Sequence, residues 1–320
     1  MRRTIIPVCV ALALLGQATP ASAAWIWIPR LGQWINPKKA AKETPALQLE
    51  YAMKFWDGKK YDKALDEFKK LVKAYPQATQ APDAQYYVGR CQEEVQNYYD
   101  AFKAYRKVIQ VYPASTRTEE ILEREYRIGN LFFEGEKRKL LGAKVVSGLD
   151  SAIEVYAAIV DDAPFSAQGP LALYKLGMGY KIQGQYQLAS DTFQRLVEEH
   201  PQHALVSDAR FQIADCAAKT ARASTYDQSY AAEAMKEFEE FVKEHPDSNL
   251  VPEAEEHLST LEDQRARQDF EVARFYENRN AHESAKVYYQ SVLRRYPKSS
   301  WAAQATTRLD ALDAIKTKKP

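Results

Sequence analysis

Cysteine and glycine are scarce in this chain of 320 residues, at three and twelve. With so few cysteines there is no disulfide framework to hold the fold, and packing must do it. Few glycines together with abundant Ala, Glu, Lys, Gln and Leu favour helix. A surplus of one charge is also missing, because 44 Lys and Arg face 43 Asp and Glu. No strongly basic stripe exists, so nothing points to nucleic acid as a partner. The sequence also lacks a nucleophile elbow, a phosphate-binding loop and any paired metal-ligand cluster. It therefore offers no catalytic, cofactor-binding or metal-ligating residues.

The first 23 residues read as an export signal rather than as fold. Arg2 and Arg3 precede the short apolar stretch Ile5 to Leu15, and Ala21-Ser22-Ala23 forms a small-residue cleavage site. The stretch is too short to span a membrane. Cys9 falls inside this signal, and no cysteine stands at the cleavage site to take a lipid. Residues 24–44 then hold Trp25, Trp27 and Trp34, followed by Lys38, Lys39 and Lys42. Tryptophan beside lysine suits a peripheral membrane contact. The segment equally suits docking onto the first repeat, whose end needs cover.

One pattern occurs six times without a slip: Ala, an aromatic four residues on, and Pro eight further. The copies are Ala64-Phe68-Pro76, Ala101-Tyr105-Pro113, Ala152-Tyr156-Pro164, Ala189-Phe193-Pro201, Ala234-Phe238-Pro246 and Ala285-Tyr289-Pro297. Each aromatic is followed three residues later by Leu71, Val108, Ile159, Leu196, Phe241 or Val292. Offsets of three, four and seven define one helix face, and the proline ends that helix. A small residue twelve positions before the Ala (Ala52, Gly89, Gly177, Ala273) marks the preceding helix. The unit is thus a helix–turn–helix of about 34 residues, the tetratricopeptide period.

The fold expected is all-α, a right-handed α–α superhelix of about six such repeats over residues 45–299. A capping helix over 300–315 and a basic tail over 316–320 follow. Two repeats are lengthened. The third has extra residues around Glu134 to Asp150, and the fifth around Lys219 to Tyr230. Both read as surface loops between helices, where insertions often carry function. Leu250 to Arg265 reads as a helix that runs toward the sixth repeat.

Repeat position gives ordinary meaning to residues that look special. His200 and His245 hold the slot of Tyr75, Tyr112 and Tyr296, so they read as helix-end aromatics. Cys91 and Cys216 share one slot and read as small buried apolar residues. The many glutamates read as solvated helix faces. What remains is a row of first-helix aromatics three residues before the small position: Tyr86, Tyr126, Tyr174, Phe211 and Phe270, with Leu49 in the first repeat. Met53, Arg90, Asn130, Met178, Asp215 and Arg274 lie one residue after the small position. Aromatics interspersed with Arg and Asn suit an extended peptide, whose carbonyls and carboxylates the polar groups can satisfy. The same rings also suit inter-helix packing.

The normal, normal, lengthened order of the first repeats, with Lys137-Arg138-Lys139-Leu140-Leu141-Gly142 in the third, resembles the BamD-like family of outer-membrane β-barrel assembly components. The ending Phe270 to Tyr276, Ala285, Tyr288-Tyr289 and Tyr296-Pro297 adds to that resemblance, which covers about residues 45–315. It implies a non-catalytic periplasmic subunit associated with the outer membrane and without a cofactor. By position, Tyr86, Arg90 and Tyr126 would face unfolded outer-membrane proteins, and Asn130, Tyr174 and Phe211 complete the candidate peptide groove. Phe270, Arg274, Tyr276 and Tyr289 would face the β-barrel assembly partner. The sequence departs from that family in having no lipidated cysteine at the cleavage site. The alternative is a general periplasmic tetratricopeptide adaptor for envelope biogenesis or cell division.

Overall fold

The computed structural model describes residues 26–28, 33–35, 40–140, 143–223 and 228–317. The export signal of residues 1–23, Cys9, Trp25, Lys38, Lys39 and residues 318–320 of the basic tail lie outside the described residues. The chain divides into two compact units, residues 1–91 and 92–320.

The first unit begins with strands β1 (Ile26–Ile28) and β2 (Gln33–Ile35), an antiparallel pair with Trp27 opposite Trp34. Helices α1 (Pro45–Asp57) and α2 (Tyr61–Ala74) follow, with most of α3 (Ala81–Glu94). Thr44 starts α1 by accepting the Leu47 N–H on its hydroxyl, and Pro45 fits the first turn, where no N–H is needed. The approach to α1 is pinned by side chains. The Lys42 N–H donates to Gln48 Oε1 at 2.8 Å, and Gln48 Nε2 donates to Glu67 of α2. The Lys42 ammonium stands 4.1 Å from the centre of the Tyr51 ring.

The second unit runs α4 (Tyr98–Val111), α5 (Thr118–Phe133), β3 (Arg138–Leu140), β4 (Ala143–Val146), α6 (Gly148–Asp162), α7 (Gly169–Ile182) and α8 (Tyr186–Glu199). It continues with α9 (Val206–Ala223), α10 (Gln228–Glu244), α11 (Val251–Asn278), α12 (His282–Arg295) and α13 (Ser300–Thr317). This is the all-α tetratricopeptide fold that the spacing predicts, with thirteen α-helices among the described residues.

The six prolines end the second helices in one way. The residue before each proline (Tyr75, Tyr112, Ala163, His200, His245 or Tyr296) donates its N–H four residues back. Its carbonyl then accepts the N–H three residues on, at 2.9 to 3.2 Å in all six copies. Pro at the second position of such a turn is favoured because its φ is already set. His200 and His245 are thus helix-end residues, their rings against Phe165 and Phe241. The turn between the two helices also has a fixed form. Lys59, Gln96, Gly184 and Asn280, each two residues before a second helix, take left-handed backbone angles.

Inside a repeat the small position meets the aromatic. A Cβ added to Gly177 would stand 2.7 Å from the Phe193 ring, and one added to Gly129 would stand 2.6 Å from the Tyr156 ring. Both rings are fully buried. Where the aromatic is tyrosine, its hydroxyl finds a first-helix partner. Tyr105 donates to Glu93, Tyr156 to Asn130 and Tyr289 to Glu277, at 2.6 to 2.7 Å.

The lengthened repeats differ from simple loops. In the third, the insertion folds as the antiparallel hairpin β3–β4. The Arg138 guanidinium lies 3.3 Å from the centre of the Tyr99 ring, and the Tyr99 hydroxyl donates to Glu154 at 2.6 Å. Burial, and then Glu154, push that hydroxyl up to about 12. The hairpin is thereby tied to α4 and α6. In the fifth repeat the extra residues largely lengthen helices, since α9 has 18 residues and α10 has 17 against 14 in α7 and in α8. The helix expected from Leu250 is continuous with the first helix of the sixth repeat, as the 28-residue α11. Helix α13 covers that repeat through Trp301, 5.1 Å from Phe270, and through buried Ala305 and Leu312.

Gly177→Val forces side-chain bulk into the Phe193 ring, and overpacking of this kind costs about 1–3 kcal/mol. Urea unfolding of the variant is expected to shift its midpoint accordingly; an unchanged midpoint contradicts the close approach.

Candidate functional site

The first helices place the expected peptide residues, and burial divides them. In the first unit, Tyr86 is buried, with its ring edge-on to Tyr87. Arg90 donates to the Tyr86 hydroxyl at 3.1 Å and lies 5.2 Å from the Trp56 ring. In the second unit, Tyr126 and Tyr174 are half-buried. Tyr126 packs 5.8 Å from Tyr156, and Tyr174 packs 5.6 Å from Phe193. Burial raises both hydroxyls above the usual tyrosine range, while hydrogen bonds from Asn130 and Gln212 oppose the rise. Phe211 is buried between Phe238 and Phe241.

Toward the C-terminal end, Phe270 is buried between Tyr289 and Trp301. Tyr276 stacks on Tyr288 at 5.5 Å, and exposed Arg274 pairs with Glu271 at 3.4 Å. Tyr289 is fully buried. Thus one repeat slot presents half-buried rings on α5 and α7 and core rings on α9 and α11. Beside Tyr126, the residues Glu93, Glu94, Arg127, Asn130, Leu131 and Glu134 line an open cleft with both charges and an amide. Such a surface can hold a peptide by ring contact and by hydrogen bonds to its backbone.

Sequence reasoning missed the burial of two acids, Glu125 and Asp215. Glu125, read with the other glutamates as a solvated face, is instead buried, and neither carboxylate oxygen has a hydrogen-bond partner among the described residues. It shares the spacing of buried Ile121 and Ile128, which was the available signal. Asp215 is also buried, held by Lys181 and Lys219.

The Glu125 carboxyl is pushed well above its usual range by burial and then by the charge of Asp162, with Arg106 opposing. The unfolded chain loses this proton near about pH 4.3. The fold keeps it longer, so the contribution of Glu125 to stability falls as pH rises from there toward the folded value. The slope for one proton reaches about 1.4 kcal/mol per pH unit. Glu125→Gln is expected to flatten this decline in urea melts between pH 4.5 and 7. An identical pH profile for variant and wild type contradicts it.

Comparison with known proteins bears on the same surfaces. Residues 146–315 match the family model YfiO, described as an outer membrane lipoprotein. Residues 48–78 and 83–115 match a tetratricopeptide repeat model. No curated protein matches the sequence. Among solved structures, a tetratricopeptide protein of Thermus thermophilus is similar at 18% identity, covering 67% of this chain and 99% of its own, with a TM-score of 0.31. A tetratricopeptide repeat protein of Parabacteroides merdae shares 14% identity, covering 84% and 98%, at a TM-score of 0.34. The MamA protein of Desulfovibrio magneticus shares 16%, covering 66% and 99%, at 0.31.

Tyr126→Ala and Tyr174→Ala remove half-buried rings, whereas Phe211→Ala empties a core position. The tyrosine variants are expected to cost less stability than Phe211→Ala, which should lose about 3–5 kcal/mol. Equal losses in thermal melts place all three rings in one structural role.

Proposed function

This chain belongs to the YfiO family of outer membrane lipoproteins, BamD-like tetratricopeptide proteins, and from that premise we propose a non-catalytic scaffold that works in the periplasm. It receives unfolded outer-membrane proteins on its first-helix faces and docks on a β-barrel assembly partner. Export is by the signal of residues 1–23, and the work is done without a cofactor.

The observation that carries this reading is the pair of half-buried tyrosines, Tyr126 and Tyr174, which hold one repeat position on the first helices α5 and α7. Asn130 and Arg127 stand beside the first of them and offer polar contacts to an extended chain. Within the second unit Phe211 on α9 supports the two tyrosines from below the surface, and within the first unit Tyr86 and Arg90 on α3 hold the equivalent repeat positions. Around α11 to α13, Arg274 and Tyr276 are the more accessible of the proposed partner contacts, and Phe270 and Tyr289 hold the core beneath them.

A direct test captures an urea-unfolded outer-membrane β-barrel protein on the immobilised full chain. Wild type is expected to retain it, and Tyr126→Ala with Tyr174→Ala should weaken capture about tenfold or more, as central aromatic contacts do. Retention that is unchanged in the double variant overturns the placement of the peptide on α5 and α7.

The segment of residues 24–44 has its own test. Docking of this segment on the first repeat is supported by the contacts of Lys42 with Gln48 and Tyr51. Flotation of the mature chain with vesicles is expected to be the same with and without residues 24–44. Loss of flotation on deletion assigns Trp25, Trp27 and Trp34 to a membrane contact instead.

A further inference from the structure

Two lysines meet one carboxylate where α7 faces α9. Lys181 Nζ lies 2.5 Å from Asp215 Oδ2, and Lys219 Nζ lies 2.8 and 2.6 Å from the two Asp215 oxygens. Lys181 also donates to Gln212. The side chains of Asp215, Lys181 and Lys219 are 7%, 15% and 34% exposed. The adjacent Cys216 thiol is pushed up by burial, so it adds no negative charge at neutral pH. The cluster therefore carries two positive charges and one negative.

Each ammonium group has three N–H donors. Lys181 uses two, on Gln212 and Asp215, and Lys219 uses two on Asp215. Among the described residues the third donor of each has no partner. A surplus cation held partly away from water is costly unless an anion offsets it. Lys219, the more exposed of the two, is the donor that an incoming group can reach.

The same helix face carries the rest of a ligand pattern. Tyr174, Met178 and Lys181 lie at offsets of four and seven on α7, so they share one face. All three are only partly buried. Seven residues of helix rise by about 10 Å, which a peptide extended as polyproline II spans in about three residues, with side chains three apart on one face. We infer that α7 and α9 form a subsite for an extended peptide bearing an acidic side chain about three residues from an aromatic one. The ring lies on Tyr174 and Met178, and the carboxylate takes the spare donors of Lys219 and Lys181. This inference rests on the scaffold reading above and names the chemistry of the segment bound.

The test uses the full chain and a blocked peptide, acetyl-Gly-Phe-Ser-Ser-Asp-Gly-amide, with its reversed sequence as a second probe. Binding is read by competition in fluorescence anisotropy at low salt. The Asp peptide in one of the two directions is expected to bind at least tenfold tighter than the same peptide with Asn. Lys219→Met should abolish that preference, and Asp215→Asn should increase it, because one negative charge is removed from the cluster. Melting curves of both variants confirm folding. Equal binding of Asp and Asn peptides, or a preference untouched by Lys219→Met, overturns the subsite. So does equal binding of an Asn peptide with a free C-terminal carboxylate, which assigns the lysines to a chain terminus. Capture of unfolded outer-membrane protein without any acidic preference leaves the scaffold reading in place and removes only this inference. Loss of that capture as well removes the parent reading.

Discussion

Each repeat depends on how closely its two helices can approach, and that distance is set by one contact. A ring from the second helix lies where the first helix has a small residue, and in the third and fourth repeats no side chain at all, as Tyr156 does at Gly129 and Phe193 at Gly177. Dense packing of this kind leaves little room for change. It also fixes the rotation of each first helix. With one face committed to the ring, another is left for neighbouring first helices and for a ligand. The proline turns then repeat the same chain reversal six times, so that the contact can be repeated.

The repeat itself was legible in the sequence because steric rules are local. Alanine, aromatic and proline at fixed offsets describe a helix face and its end, and the observed turns follow that spacing without exception. The hairpin in the third repeat was not legible. Its placement comes from Arg138 meeting Tyr99 and Glu154, residues far apart in the chain. The long α11 was partly legible, because no proline or glycine interrupts the run from Glu253 to Asn278.

The candidate site was legible as a slot but not as a surface. Tyr126, Tyr174, Phe211 and Phe270 share one repeat position, yet the first two are half-buried and the last two are buried. Repeat position fixes the direction of a side chain. What covers it is decided by the next helix, and His257 beside Phe211 and Trp301 over Phe270 are cover of that kind. Buried charge was hidden for the same reason. Glu125 and Asp215 look like ordinary polar helix residues until the helices around them are in place. Their treatment differs in a way that has consequences. Asp215 is matched by two lysines and stays ionised, whereas Glu125, beside Asp162, favours its proton.

The proposed scaffold takes its ligand on the first helices and not on the outer faces of the second. Site-specific photo-crosslinking tests that division directly. A photoreactive phenylalanine analogue is placed at Tyr126 or Tyr174, or at exposed second-helix positions Lys103 or Glu198, and the full chain is offered an unfolded outer-membrane protein. Crosslinks from Tyr126 and Tyr174 with little or none from Lys103 and Glu198 are the predicted result. Crosslinking of equal strength from all four positions contradicts it.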